Sequence, residues 1–232
     1  MRRELRDGAA SIVPMLVGVV PFGLVAGASP VDQDLGAGAA IGFSTIVFAG
    51  ASQLAAIDIL GDGGSAIVAA LAAWTINLRM LLYSASLAPH LAAESIRTRL
   101  GVAYLLTDQA YAVSIRRWSL GEEPQEKRVP YYLGAGLLLW ASWQLSTIAG
   151  VLIGPVVPDD VPLEFAVPLV FLVLLIPALT SAPAVVAAGA GGLGAVVAAE
   201  AHAGSGSIMV GAVTGITAGV VAELVRDGRG RP

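Results

Sequence analysis

The stretch FSTIVFAGASQLAAIDIL, residues 43–60, is apolar enough to enter a bilayer, yet its middle is poorly suited to a rigid membrane helix. Small residues crowd FAGASQ, and Gln53 carries an amide that hydrocarbon cannot satisfy. How the chain passes this point decides the fold, and the charges around it give one answer. Of the thirteen Lys and Arg residues, Arg2, Arg3 and Arg6 precede the first apolar segment. Arg97, Arg99, Arg116, Arg117, Lys127 and Arg128 lie in one polar region, and Arg226, Arg229 and Arg231 come last. SPVDQDLG, DILGDGG, GPVVPDDVPLE and EAHAGSG hold no Lys or Arg. If all three basic regions are cytoplasmic, the first segment runs outward and 64–89 runs inward, so 38–60 must begin and end outside. A straight span cannot do this; a re-entrant pair of half-helices can. FAGASQ then lies about ten residues from either end, about 15 Å deep at 1.5 Å per residue. Broken backbone survives there only when protein or a watery cavity covers it.

The whole composition agrees with a membrane setting. The 232 residues are 56% hydrophobic and 13% charged, against roughly 25% charged in soluble domains. Mean hydropathy is +0.78. Candidate segments of the length a bilayer requires cover about 9–28, 38–60, 64–89, 131–154, 164–181, 183–199 and 206–224, with a shorter one at about 102–115. The fold expected is all-α: a polytopic integral membrane helical bundle of six spans plus the re-entrant segment, with both termini cytoplasmic. The alternative is eight spans, with 38–60 and 102–115 both crossing. The chain reads as one membrane domain, residues 1–232, in which about 90–130 is a cytoplasmic basic loop carrying a short amphipathic helix. No internal repeat stands out. MRRELRD before an apolar run resembles a signal peptide, but Glu4 and Asp7 weaken that reading.

Five phrases in register carry a family resemblance: VPFGLVAG (20–27), FAGASQLAA (48–56), NLRMLLYSASLAPHL (77–91), YLLTDQAYAVS (104–114) and FAVPLVFLVLLIPAL (165–179). Together they resemble the AzlC family of branched-chain amino acid exporters. The resemblance implies a secondary transporter in the cell membrane, exporting Leu, Ile, Val or Met and working with a separate small membrane protein of the AzlD family. The family's tripeptide after the basic turn is often Thr-Asp-Glu; here it is Thr107-Asp108-Gln109.

An exporter of such zwitterions needs donors for the carboxylate, acceptors for the ammonium and an apolar pocket for the tail. Broken helices supply the first two from their backbone ends. Phe48, Gly50, Ala51, Ser52 and Gln53 fit that role, with Gly50 allowing positive φ or close approach, and Asn77 is a further candidate for the substrate site. Tight helix packing would account for the same small residues. Arg79 is the one basic residue within an apolar segment. An intramembrane charge needs a partner or water, and Asp108 is the candidate. Together they are expected to gate the path or couple it to a proton gradient. Pro21 and Gly23 are expected to hinge the first span. His90 and His202 have no companions at metal-ligand spacing, so neither metal nor cofactor is expected, and nucleic acid is excluded as a partner. The absence of cysteine and of paired carboxylates in the spans argues against an enzyme. A channel remains the alternative, since it too can use a re-entrant loop with a polar tip.

Overall fold

The computed structural model describes residues 1–119, 124–154, 175, 179–201 and 206–229, and the regular structure among them is helical. In chain order the helices are α1 (Arg2–Ile12), α2 (Leu16–Asp32), α3 (Gly36–Ile46), α4 (Gly50–Gly61), α5 (Ala66–Asn77), α6 (Arg79–Leu87), α7 (Ile96–Tyr104), α8 (Asp108–Ser119), α9 (Gln125–Ile153), α10 (Ala182–Glu200) and α11 (Gly206–Arg229). Short 3-10 turns occupy Val13–Met15 and Ala88–Leu91. Five stretches are long and apolar enough to cross a membrane: Arg2–Asp32, Ala66–Leu91, Glu126–Ile153, Ala182–Glu200 and Met209–Arg226. They coincide with five of the six spans read from the sequence. The sixth, 164–181, falls almost wholly outside the described residues. The chain divides into two compact units, Met1–Val170 and Phe171–Pro232.

In the first unit, α1–α2 and α9 run side by side in the same direction at backbone contact. A Cβ added at Gly8 would overlap the Tyr131 carbonyl oxygen, and one at Gly134 that of Leu5. Further along, a Cβ at Gly27 would overlap the Thr147 oxygen and one at Gly150 that of Leu24. Small residues let helices approach this closely where hydrophobic exclusion from water gives no drive.

A helical hairpin lies against each end of this pair. The first is α3–α4. From Gln33, α3 runs back along α2 until the Ser44 hydroxyl meets that of Thr147 at 2.9 Å. The chain breaks at Val47–Phe48–Ala49, and α4 then climbs α2 again. Gly50 lies against Phe22, the Gln53 amide donates to the Ala26 carbonyl at 3.4 Å, and the Gln33 amide donates to Asp58 at 3.2 Å. The end of α4 therefore lies beside the start of α3, at Gln33. The positive φ falls on Phe48 (45°) rather than on Gly50. Gly50 serves close approach instead, because a Cβ there would sit 2.5 Å from the Phe22 ring and 2.7 Å from Trp143.

The second hairpin corrects the expectation of a basic loop with one short helix at 102–115. Residues 96–119 form two helices, α7 and α8, broken at Leu105–Thr107. Along α7, the Val102 carbonyl accepts from the Tyr132 hydroxyl (3.0 Å), and Trp140 Nε1 donates to the Tyr104 hydroxyl (2.9 Å), so α7 rises with α9. Descending again, α8 brings Trp118 back to Tyr132, ring centroids 6.2 Å apart. The arginines hide this in the sequence. Beneath them Val102, Leu105, Leu106 and Trp118 are buried with Leu87, Leu91 and Tyr132 in one apolar cluster. The two hairpins thus approach from opposite ends of the central pair. The span 66–91 is also divided, at Leu78 between α5 and α6.

In the second unit, α10 and α11 pack through Gly191 against the Gly211 carbonyl and Gly194 against Thr214. Ser181 caps α10 by accepting from the Ala184 amide at 3.3 Å. The backbone contact in the first unit gives a direct test. Gly27→Ala should lower stability by about 1–3 kcal/mol through overpacking, read as a lower detergent melting temperature. Gly42→Ala, where a Cβ meets nothing within 4 Å, should leave melting unchanged or slightly raised.

Candidate functional site

The two hairpin tips and the tightened turn at Leu78, whose backbone stays helical, converge. Val47, Phe48 and Ala49 from the first tip, Ala103, Tyr104 and Leu106 from the second, and Asn77, Met80 and Ser84 from the divided span line one cavity of about 260 Å³, completed by Ile46 and Leu81. This is just under the roughly 300 Å³ at which small-molecule pockets begin, a size for a small solute. Its wall is mainly aliphatic, with polar groups from Asn77, Ser84 and Tyr104. Phe48 is held at positive φ, a conformation that costs a bulky residue about 1–3 kcal/mol and persists only where its surroundings fix it. Those surroundings are the apolar cluster it shares with Phe22, Leu54 and Trp143. The Phe48 and Tyr104 rings lie 6.2 Å apart at 31°, and the Tyr104 hydroxyl donates to the Thr45 carbonyl at 2.9 Å.

Among the residues picked from the sequence, Phe48 and Asn77 are on the cavity wall. Gly50, Ala51, Ser52 and Gln53 are not among its lining residues. Ser52 and Gln53 are fully buried. The Ser52 hydroxyl donates to the Ala49 carbonyl at 2.9 Å, closing the first turn of α4. The Gln53 amide donates to Ser44 at 3.0 Å as well as to Ala26, and Gln144 donates to the Ser44 carbonyl at 2.9 Å. Ser44, Gln53, Gln144 and Thr147 therefore form a polar knot joining α2, α3, α4 and α9 behind the tip. Pro21 and Gly23 sit within an unbroken α2, and Gly23 faces Ser146 where α9 crosses. The irregularity in this first span is the 3-10 turn at Val13–Met15, which contains Pro14.

Beside the cavity, Arg79 opens α6 and Asp108 opens α8. Arg79 Nη1 and Asp108 Oδ2 are 2.9 Å apart, each side chain 37% exposed. Thr107 caps α8 by accepting from the Ala110 amide at 3.3 Å. One turn further inward, Tyr83 and Tyr111 stack at 4.3 Å, and the Tyr111 hydroxyl donates to Ser86 at 3.0 Å. Asp108 also has the Tyr83 hydroxyl beside it, while Arg79 Nε and Asn77 Oδ1 are shielded from solvent and lack protein partners. Such atoms cost about 1–3 kcal/mol each unless something else satisfies them. At the far end, Glu4 is buried and pairs with Arg117 at 2.9 Å and Lys127 at 3.8 Å, while Arg117 lies 4.2 Å over the Tyr131 ring. This ionic cluster ties α1, α8 and α9 together. Sequence reasoning missed Glu4, Tyr104 and the Ser44–Thr147 contact, because each depends on a partner distant in the chain.

Long apolar helices with broken helices meeting between them at a small cavity are the makings of a multi-pass membrane transporter. The family model described as "AzlC protein" matches residues 14–157, and the chain belongs to that family. It is similar to "Inner membrane protein YgaZ" of Escherichia coli, with 27% identity over 190 residues covering 73% of this chain and 71% of that one. It is 31% identical over 183 residues to an "Uncharacterized membrane protein" of Archaeoglobus fulgidus, covering 74% of each. A Helicobacter pylori protein of the same description is 25% identical over 174 residues, again covering 74% of each. No solved structure matches the chain.

The ion pair beside the cavity makes a stability prediction. Arg79→Leu leaves Asp108 unpaired and should cost about 1–3 kcal/mol, seen as a lower melting temperature in detergent. Adding Asp108→Asn should restore part of the loss. Equal melting of wild type and Arg79→Leu would show that the pair contributes nothing to folding.

Proposed function

We propose that this transporter exports branched-chain amino acids, with Met among its cargo, across the cytoplasmic membrane. The observation that carries this reading is the cavity where the two hairpin tips meet the turn at Asn77–Leu78. Its aliphatic wall suits a Leu, Ile or Val tail. At its edge lies Ala49, where α4 begins with no side-chain cap, and the Ala49 backbone N–H is the donor this wall can offer a carboxylate. Asn77 Oδ1, unpartnered in the protein, can accept from an ammonium group. Phe48 and Asn77 are then the substrate contacts. Gly50, Ala51, Ser52 and Gln53 act from behind, holding the tip at its depth. The Arg79–Asp108 pair is the candidate for coupling to a proton gradient: protonating Asp108 would release Arg79 and change the bonding between α6 and α8. A small AzlD-type membrane protein is the proposed partner, and the basic ends of the chain are placed in the cytoplasm.

The test is efflux of preloaded branched-chain amino acids from cells, with and without the small partner. Asn77→Leu should lower Leu efflux at least about tenfold, the consequence of leaving a charged substrate group unpaired, while membrane abundance stays near normal. Normal efflux from this variant would remove Asn77 from the site. Counterflow in proteoliposomes should show acceleration by unlabelled Leu on the far side, which a channel would not give. Sidedness has its own check. Asp62→Cys, in a chain without native cysteine, should react with an impermeant maleimide added outside intact cells. Reaction only from the cytoplasmic side would overturn the re-entrant placement of α3–α4.

A further inference from the structure

The two hairpin tips are built alike. Each places an aromatic residue five positions before a glutamine: Phe48 before Gln53, and Tyr104 before Gln109. In each, the aromatic marks the end of the first half-helix or the break itself, and the glutamine falls in the first turns of the second. Because the hairpins enter from opposite ends, these aromatics meet at the cavity, their ring centroids 6.2 Å apart. They differ in one group. Phe48 has no hydroxyl, whereas Tyr104 uses its own to bond the opposite hairpin at the Thr45 carbonyl, 2.9 Å away. A phenol has one proton and can also accept. Trp140 Nε1 donates to the Tyr104 oxygen at 2.9 Å, so the acceptor side is occupied and the single proton is directed at Thr45. Among the described residues, these are the hydrogen bonds at the rim of the cavity that join one tip to the other and to the central helix α9. Ring packing is tilted and does not fix a register; the hydroxyl bond does.

We propose that Tyr104 is the latch of the cavity: its bond to Thr45 holds the two tips together, Trp140 orients it, and breaking it opens the cavity wall at Ala49. This rests on the cavity being the transport site, and the experiment separates the two. The protein lacks cysteine, so Ala49→Cys gives a single thiol at a buried position of the wall. Its rate of modification by a small methanethiosulfonate is measured in proteoliposomes of the full chain, with Asp62→Cys at the α4–α5 turn as reference. Tyr104→Phe keeps the ring and removes the bond, and should raise the Ala49→Cys rate roughly two- to tenfold, the population change expected for one such hydrogen bond. The Asp62→Cys rate should not change. Trp140→Phe, which frees the Tyr104 proton to point elsewhere, should raise the Ala49→Cys rate by a smaller factor. An unchanged Ala49→Cys rate in Tyr104→Phe overturns the latch, and so does an equal rise at both thiols, which would mean general loosening. Protection of Ala49→Cys by Leu reports on the site itself. If Tyr104→Phe accelerates modification but neither Leu, Ile, Val nor Met protects, the latch stands and the assignment of this cavity to those substrates fails.

Discussion

Backbone contact between α1–α2 and α9 is the constraint on which the first unit depends. Gly27 and Gly150 each approach the other helix so closely that a methyl group would overlap a carbonyl oxygen. This contact creates a wall wide enough to cover interrupted helices. The first hairpin lies along α2 and bonds α9 through Ser44 and Thr147; the second lies along α9 through Val102 and Tyr104. Broken backbone within a bilayer must be covered by protein or face water, and the paired helices provide that cover. Where the cover ends, between the tips, the cavity begins.

The polar groups around the cavity divide by what they already bond. Ser44, Gln53, Gln144 and Thr147 bond one another or nearby backbone in the interior, so their role in the structure is to tie four helices behind the tip. Asn77 and Arg79 retain shielded atoms with no protein partner, and so do Gln33, Ser114, Trp118, Arg128 and Trp143. An unpartnered atom therefore does not by itself tell site from frame.

Much of the frame is legible in the sequence. The crowding of small residues around FAGASQ predicts an interruption in 38–60, and the chain does break at Val47–Ala49, after which α4 runs along α2 from Phe22 to Gln33. Arg79 stands out as a charge in an apolar segment, and its partner in the structure is Asp108. The second hairpin is not legible. Its apolar residues come in short runs between arginines, and Val102, Leu105 and Trp118 are recognisable as core only once Tyr132 is beside them. The first break, at Val47–Ala49, overlaps the start of FAGASQ, where the sequence places the tip, but the sequence does not show which residue bends. Phe48 bends there, held by its neighbours, while Gly50 is needed for lack of bulk. The link from Tyr104 to Thr45 cannot be inferred at all, since its acceptor is a main-chain carbonyl that any residue could supply.

One further feature concerns the surroundings of the molecule. Within α5, only Ala69 is buried, and Ile67, Leu71 and Trp74 are exposed. Ser65 satisfies its first turn locally. The helix is thus held by its own cap and by its packing on α4. Its lower end is the turn at Leu78 that carries Asn77 to the cavity. A hydrophobic span meets a thicker or thinner bilayer by tilting or by deforming the bilayer, with its tilt set by packing against neighbouring helices. For α5 that neighbour is α4, through Ala69, Ala56 and Ile59, so this seam is where a change of acyl-chain length would be felt.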